Sequence, residues 1–331
     1  MITPFEAPLP NDYVYHVYPH EVNALVRELD GTPELTTNTF RQYSNHIVQA
    51  LTITDPRVDR STKKALFVSR PHAHEPAGTA AILELAKALL GQGIYKETHP
   101  SWRSHILQNY VITLIPDANP FGSERAPVKF WDGSEIRNEQ FFLWMFGESG
   151  EKPGERFPRL ADWNLQEVTP PALLGIAYEE IEKNIYVEPN RDYRSTFFQS
   201  FFDLDPTYHY DVWLDLHQTE FINSERNTEI HLPTCHDDLP NPLKDQHYAL
   251  GAAIQRRWQD SGGISSNKPK VPYRTNDIQR DFLTKVWLPI SSRLIHVVTE
   301  VQNNNPRTPT PMQVYLQGVA LLETLEWMDR S

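Results

Sequence analysis

Apolar positions recur at helical spacing between Tyr18 and Leu29, where Val22, Leu25, Val26 and Leu29 share one face and the run closes at Asp30-Gly31. That spacing predicts a first helix. Ile47 to Ile53 and Ala65 to Ser69 read as strands, parted by the polar turns Asp55-Pro56 and Asp59-Arg60-Ser61. Ala77 to Leu90 is rich in helix formers and stops at Gly91, so a second helix is predicted there. Tyr110-Val-Ile-Thr-Leu-Ile115 is nearly all apolar, the pattern of a strand covered on both faces. Asp211 to His217 and Arg293 to Glu300 repeat it, and Thr228 to Leu232 offers a shorter strand. Further helices are predicted over Leu243 to Trp258 and Met312 to Met328, the last burying Val314, Leu316, Val319, Leu322 and Leu325. Strand and helix in alternation predict an α/β fold of three layers, α/β/α, with a mixed, mostly parallel central sheet.

From about 128 to 185 the text is irregular, aromatic and dotted with proline, with one helix-like piece around Leu173 to Lys183. It shows neither repeats nor low complexity and is expected to be an elaboration beside the core of one domain spanning 1–331. Proline outnumbers glycine, 27 to 14, and concentrates in connecting segments, which predicts rigid surface loops.

The net charge of −12, with no cluster of Lys and Arg, argues against a nucleic-acid partner. The one cysteine, Cys235, permits no intrachain disulfide. The start of the chain lacks the basic and apolar regions of an export signal, and no apolar run approaches the length of a membrane span. A cytoplasmic protein is expected, with no membrane partner.

The candidate chemistry begins with His72-Ala-His-Glu75, just past the strand that ends at Ser69. An imidazole and a carboxylate three residues apart after a strand can face one point, where a metal ion would sit. His217 and Glu300 each stand at the end of another strand, and ligands of open α/β sheets gather at such ends. His74, between the two candidate ligands, is expected to turn away from the point they face. Asp215, two residues before His217, would share its strand face and could orient its ring. His231, Cys235 and His236 match no standard metal spacing.

Five pieces then fall in order: His72-Ala-His-Glu75, Asn119-Pro-Phe-Gly122, Asn190-Arg191, Asp215-Leu-His217 and Thr299-Glu300. In them the sequence resembles the zinc carboxypeptidases and, more distantly, the aspartoacylases and succinylglutamate desuccinylases, over about Tyr18 to Trp327. The resemblance implies a zinc-carboxypeptidase-like fold and one zinc ion per chain, held by His72, Glu75 and His217, with Glu300 as general base. It implies that Asn190 and Arg191 bind a free substrate carboxylate. It also calls for an arginine that stabilises the oxyanion, for which Arg125 is the candidate, with Arg137 behind it. Tyr273 is proposed as the tyrosine of a substrate-covering loop from its position between His217 and Glu300. One departure stands out: Asn190-Arg191 is flanked by Glu188-Pro189 and Asp192-Tyr193, where the family usually shows Asp-Leu and Asn-Phe. The implied activity is that of a carboxypeptidase on small peptides. An amidohydrolase for N-acyl amino acids or cell-wall peptides is the alternative, and a non-catalytic binding protein stands further off.

Overall fold

In the computed structural model, which describes residues 4–96, 100–148, 157, 159–168, 173–221 and 223–331, the first helical pattern becomes α1 (Pro19–Leu29) with Val22, Leu25, Val26 and Leu29 buried. Glu21 accepts hydrogen bonds from the Val17 and Tyr18 amides and so satisfies backbone donors at the helix start. A hairpin of β1 (Leu35–Arg41) and β2 (Ile47–Ile53) follows. Then come β3 (Lys64–Ser69), α2 (Pro76–Leu90), α3 (Pro100–Asn109), β4 (Tyr110–Ile115) and the short α4 (Pro120–Glu124). The chain next leaves the main sheet to build a flap from α5 (Asn138–Phe146), β5 (Gly147–Glu148), β6 (Trp163–Asn164), β7 (Leu173–Leu174), β8 (Glu179–Glu182) and β9 (Ile185–Val187). It returns through α6 (Thr196–Tyr208) to β10 (Val212–Thr219), β11 (Thr228–His231), α7 (Asn241–Asp260), α8 (Ile278–Ser291), β12 (Ile295–Gln302) and α9 (Thr310–Arg330). Among the described residues no helix is long and apolar enough to cross a membrane.

Seven strands form one sheet in the order β1-β2-β4-β3-β10-β12-β11. The central pairs β4/β3, β3/β10 and β10/β12 are parallel, and the pairs toward both edges are antiparallel. Side chains alternate between its faces. Leu66, Val68, Leu214 and Leu216 pack with α2, α7 and α9 in one core, while Ala65, Phe67 and Trp213 pack with α6 and α8 in another. The result is the expected three layers, with all 15 residues of α2 buried. Asp215 and His217 share the face of Trp213, so the layer containing α6 and α8 borders whatever they do.

Several elements escaped the pattern. β1 is Thr-rich and lies at the sheet edge, with one side chain buried, three half-buried and three exposed, so it lacks the apolar signature of the inner strands. α6 and α8 begin at Ser195 and Asp277, whose side chains accept from the amides of Phe198 and Gln279. Such capping side chains mark a helix start locally, whatever the apolar period beyond them. The piece around Leu173 to Lys183 is not helical. Its backbone is engaged elsewhere: Ile176 and Ala177 donate to the Trp144 and Met145 carbonyls at 3.0 Å each, and β8 pairs with β9. Of the expected elaboration, residues 149–156, 158 and 169–172 lie outside the described residues.

The flap is clasped to the core by the turn of the Asn119-Pro-Phe-Gly122 motif. The Asn119 side chain accepts from the Gly122 amide at 3.1 Å, and its amide group faces the Ile176, Ala177 and Tyr178 carbonyls at 3.3–3.4 Å. A Cβ on Gly122 would lie 2.1 Å from the Ile176 carbonyl oxygen and 2.8 Å from the Ala73 Cβ. Only glycine fits between the flap backbone at Ile176 and the side chains of Ala73 and Asn119. Gly122→Ala should therefore lower unfolding free energy by at least about 2 kcal/mol. Urea denaturation would measure it, and an unchanged midpoint with an unchanged slope would show that the flap is free to shift.

Candidate metal centre and substrate cavity

β3 ends at Ser69 and hands the chain to Arg70, a guanidinium with 1% exposure. Its Nη2 lies 3.0 Å from Asp117 Oδ1, its Nη1 donates to the His72 carbonyl at 2.8 Å, and its Nε donates to Thr79 Oγ1 at 2.8 Å. The loop after β3 is thereby tied to the loop after β4 and to α2. Held in this way, His72 and Glu75 turn toward each other, with His72 Nδ1 3.0 Å from Glu75 Oε1. From the end of β10, His217 brings its Nδ1 to 3.3 Å from Glu75 Oε2. One ligand atom from each of the three buried residues lies within 4.8 Å of the others, and among the described residues no other such group occurs.

Each imidazole is oriented from behind by a carboxylate. His217 Nε2 lies 2.8 Å from Asp215 Oδ2, and Asp215 in turn accepts from Ser69 Oγ, which accepts from Trp213 Nε1. His72 Nε2 lies 3.2 Å from Glu188 Oε1 and 3.3 Å from Asn190 Oδ1. Both rings are left with Nδ1 toward the common point. Burial opposes charge on all three groups, yet the facing partners outweigh it. Glu75 and Glu188 raise His72, Asp215 and Glu75 raise His217 well above the ordinary imidazole value, and the two imidazoles hold Glu75 well below the carboxylate range. The space between the ligand atoms thus favours positive charge. Two imidazoles and one carboxylate, with each ring oriented by a carboxylate, suit a divalent metal ion. His74 stacks on His72 at 5.2 Å, with Nε2 3.3 Å from Glu75 Oε1, and burial pushes it down to about 4. It supports the loop from outside the ligand group.

Two cavities meet at this point. The larger, about 450 Å³, is lined by His72, His217, Asn190, Arg191, Tyr273 and Glu300 among others. The smaller, about 310 Å³, shares His72, His217, Arg159, Tyr273 and Glu300 with it. Glu300 stands opposite His217 in the β10/β12 register. Its Oε1 lies 3.5 Å from His231 Nδ1, its Oε2 is hidden without a hydrogen-bond partner, and burial pushes the carboxyl up. Arg191 is 5% exposed: its Nε lies 2.9 Å from Glu188 Oε2, its Nη2 donates to Tyr273 Oη at 3.4 Å, and its Nη1 has no partner. Tyr273 holds a φ of +63°, a left-handed backbone uncommon for an aromatic residue.

Arg125 is placed elsewhere, and its candidacy for the oxyanion falls. Its guanidinium donates to the Phe121, Leu174 and Gly175 carbonyls and lies 4.2 Å from the Phe121 ring centroid, so it belongs to the clasp of the flap. Arg137 sits exposed at the start of α5. Arg159, which no sequence signal singled out, lines both cavities and grips Glu188 through Nε and Nη2 at 2.7 Å each. Glu188 is itself unexpected; its one signal is the departure from the usual Asp-Leu before Asn190. Wholly buried, it is held far below the carboxylate range, burial being outweighed by Arg159 and Arg191.

No protein-family model matches the sequence, and no curated protein matches it. Solved structures do. A metallo-carboxypeptidase from Burkholderia cenocepacia aligns over 94% of this chain and 69% of its own, with TM-score 0.58 and 14% identity. A Pseudomonas aeruginosa metallo-carboxypeptidase in complex with (2-guanidinoethylmercapto)succinic acid aligns over 92% and 69%, with TM-score 0.54 and 10% identity. Thrombin activatable fibrinolysis inhibitor aligns over 96% and 74%, with TM-score 0.52 and 10% identity. The chain has the metallo-carboxypeptidase fold, and at these identities the likeness is one of fold.

Removing a ligand and removing its orienting carboxylate should differ in degree. His217→Ala should abolish uptake of one divalent ion per chain, while Asp215→Asn should weaken it by about 10–100-fold. Competition against a chromophoric chelator reads both. Equal uptake by wild type and His217→Ala would remove His217 from the ligand set.

Proposed function

We propose that the chain is a zinc-dependent hydrolase of an amide bond next to a free carboxylate, acting as a carboxypeptidase on small peptides and forming one catalytic domain. The observation that carries this reading is the junction of His72, Glu75, His217 and Glu300 with a cavity that Arg191 and Asn190 also line. The donor set of two imidazoles and one carboxylate suits one zinc ion, which would supply Lewis-acid polarisation of a carbonyl and an acidified water.

The side chains divide the remaining work. Glu300, which lines both cavities, accepts the proton of the attacking water and delivers it to the leaving amine. Arg191 holds the substrate carboxylate by charge-assisted hydrogen bonds, beside Asn190 and under Tyr273. Arg159, on the wall common to both cavities, takes the oxyanion role in place of Arg125. An N-acyl amino acid would meet the same groups, because Arg191 reads only the amine side of the bond.

Glu300→Gln keeps the size of the side chain and removes its basicity. Turnover should fall at least about a hundredfold while zinc stays bound. Loss of zinc in that variant would make Glu300 a ligand, and retained turnover would remove it as the base. In the wild type, burial raises the Glu300 carboxyl, so kcat/KM should decline as pH falls through that raised value.

Free-acid and amidated forms of a cleaved substrate test Arg191. The wild type should prefer the acid by at least about thirtyfold in kcat/KM, and Arg191→Ala should lose most of that preference. A variant that keeps the full preference would move the carboxylate site to another cation.

A further inference from the structure

Asn190 and Arg191 line the larger cavity and not the smaller, whereas His72, His217 and Glu300 line both. On the reading above, the carboxylate and the amine side of the scissile bond occupy the larger cavity. The carbonyl side is then directed into the smaller one. Away from the ligands it has a polar wall of Gln218, Thr219 and Glu220 and, as its apolar wall, a face of α5 made of Phe141, Phe142, Met145 and Phe146. Phe141, Met145 and Phe146 are buried and fixed by packing, while Phe142 is half-buried. The helix is seated against the ligand loop: Phe141 meets His74 edge-on at 6.0 Å, and Phe146 lies tilted 6.5 Å from the same ring. Behind them Phe141 packs edge-on against Trp131 at 4.9 Å. The aromatic wall and the metal-facing residues are therefore parts of one packed unit.

We propose that the smaller cavity is the subsite for the acyl side of the substrate and that it selects an aromatic group there. This rests on the reading above and names its substrate class: an amide whose carbonyl carries an aromatic group and whose amine side ends in a carboxylate. Burial of a ring against α5 removes apolar surface of both partners from water. A ring also gains from edge-to-face or offset contact with half-buried Phe142 that an aliphatic group of equal area does not make, while Phe141 and Phe146, the latter beneath the Arg159 guanidinium at 4.5 Å, back that ring. A small acyl group such as acetyl leaves that wall wet.

The zinc-loaded full chain would be given a panel of free amino acids acylated with acetyl, 3-cyclohexylpropanoyl or 3-phenylpropanoyl groups. For any amino acid that is cleaved, the phenylpropanoyl amide should exceed the acetyl amide in kcat/KM by at least about tenfold, and it should also exceed the cyclohexyl amide. Phe142→Ala should bring the phenyl-to-acetyl ratio below about threefold, and Phe142→Leu, which keeps apolar bulk, should bring phenyl and cyclohexyl level. Equal cleavage of all three series would overturn the subsite and leave the hydrolase reading standing. Equality of phenyl and cyclohexyl in the wild type would overturn its aromatic selectivity, as would ratios unchanged in both variants. Cleavage of none of the panel, with short peptides uncut as well, would overturn the hydrolase reading and this subsite with it.

Discussion

Parallel pairing of β10 with β3 on one side and β12 on the other is the constraint on which the site depends. The register sets Asp215 beside Ser69 and His217 beside Glu300, so the ends of three strands reach one edge of the sheet at the same level. A shift of one residue in β10 would turn Asp215 and His217 toward α2 and α9 and put Leu214 and Leu216 in their places. The two packed cores oppose that shift, because each accepts only its own alternate set of side chains. Burial of apolar residues thus fixes the direction of polar ones.

A second link runs through Glu188. Its oxygens face His72 on one side and Arg159 and Arg191 on the other, all within 3.2 Å. A buried carboxylate needs compensating charge, and two guanidiniums supply more than one negative charge can balance. Both arginines line the larger cavity, where, on the proposed function, an anionic end of a substrate would complete the balance. The same residue lies against the imidazole of His72, a candidate ligand, so the proposed metal and carboxylate sites share one support. Pro189 opens the single helical turn that carries Asn190 and Arg191, with Glu188 just before it.

The flap adds what the sheet lacks. The main sheet presents the candidate ligands and the proposed base, but the aromatic wall of the smaller cavity and Arg159 come from the excursion between α4 and α6. Arg125 and Gly122 hold that excursion down by meeting backbone carbonyls of Leu174 to Ile176. An arginine adjacent to a motif in sequence became a structural clasp, and one far from any motif reached the cavity.

The sequence by itself determined the inner strands, α1, α2, α7 and α9, and the residues that stand at strand ends: His72, Glu75, His217 and Glu300. These follow from apolar period and from position relative to it, which are local properties of the chain. Asp215 was legible for the same reason, since a two-residue offset on a strand means a shared face. Tertiary structure alone decided the strand character of Leu173 to Lys183, whose backbone bonds go to α5 and β9, and the placement of Arg125, Arg159 and Glu188. A guanidinium reaches several ångströms from its backbone and binds whatever carbonyl or carboxylate the fold brings near. No periodicity in the chain encodes which partner that will be, because the partners lie tens of residues away and meet only when the sheet has formed.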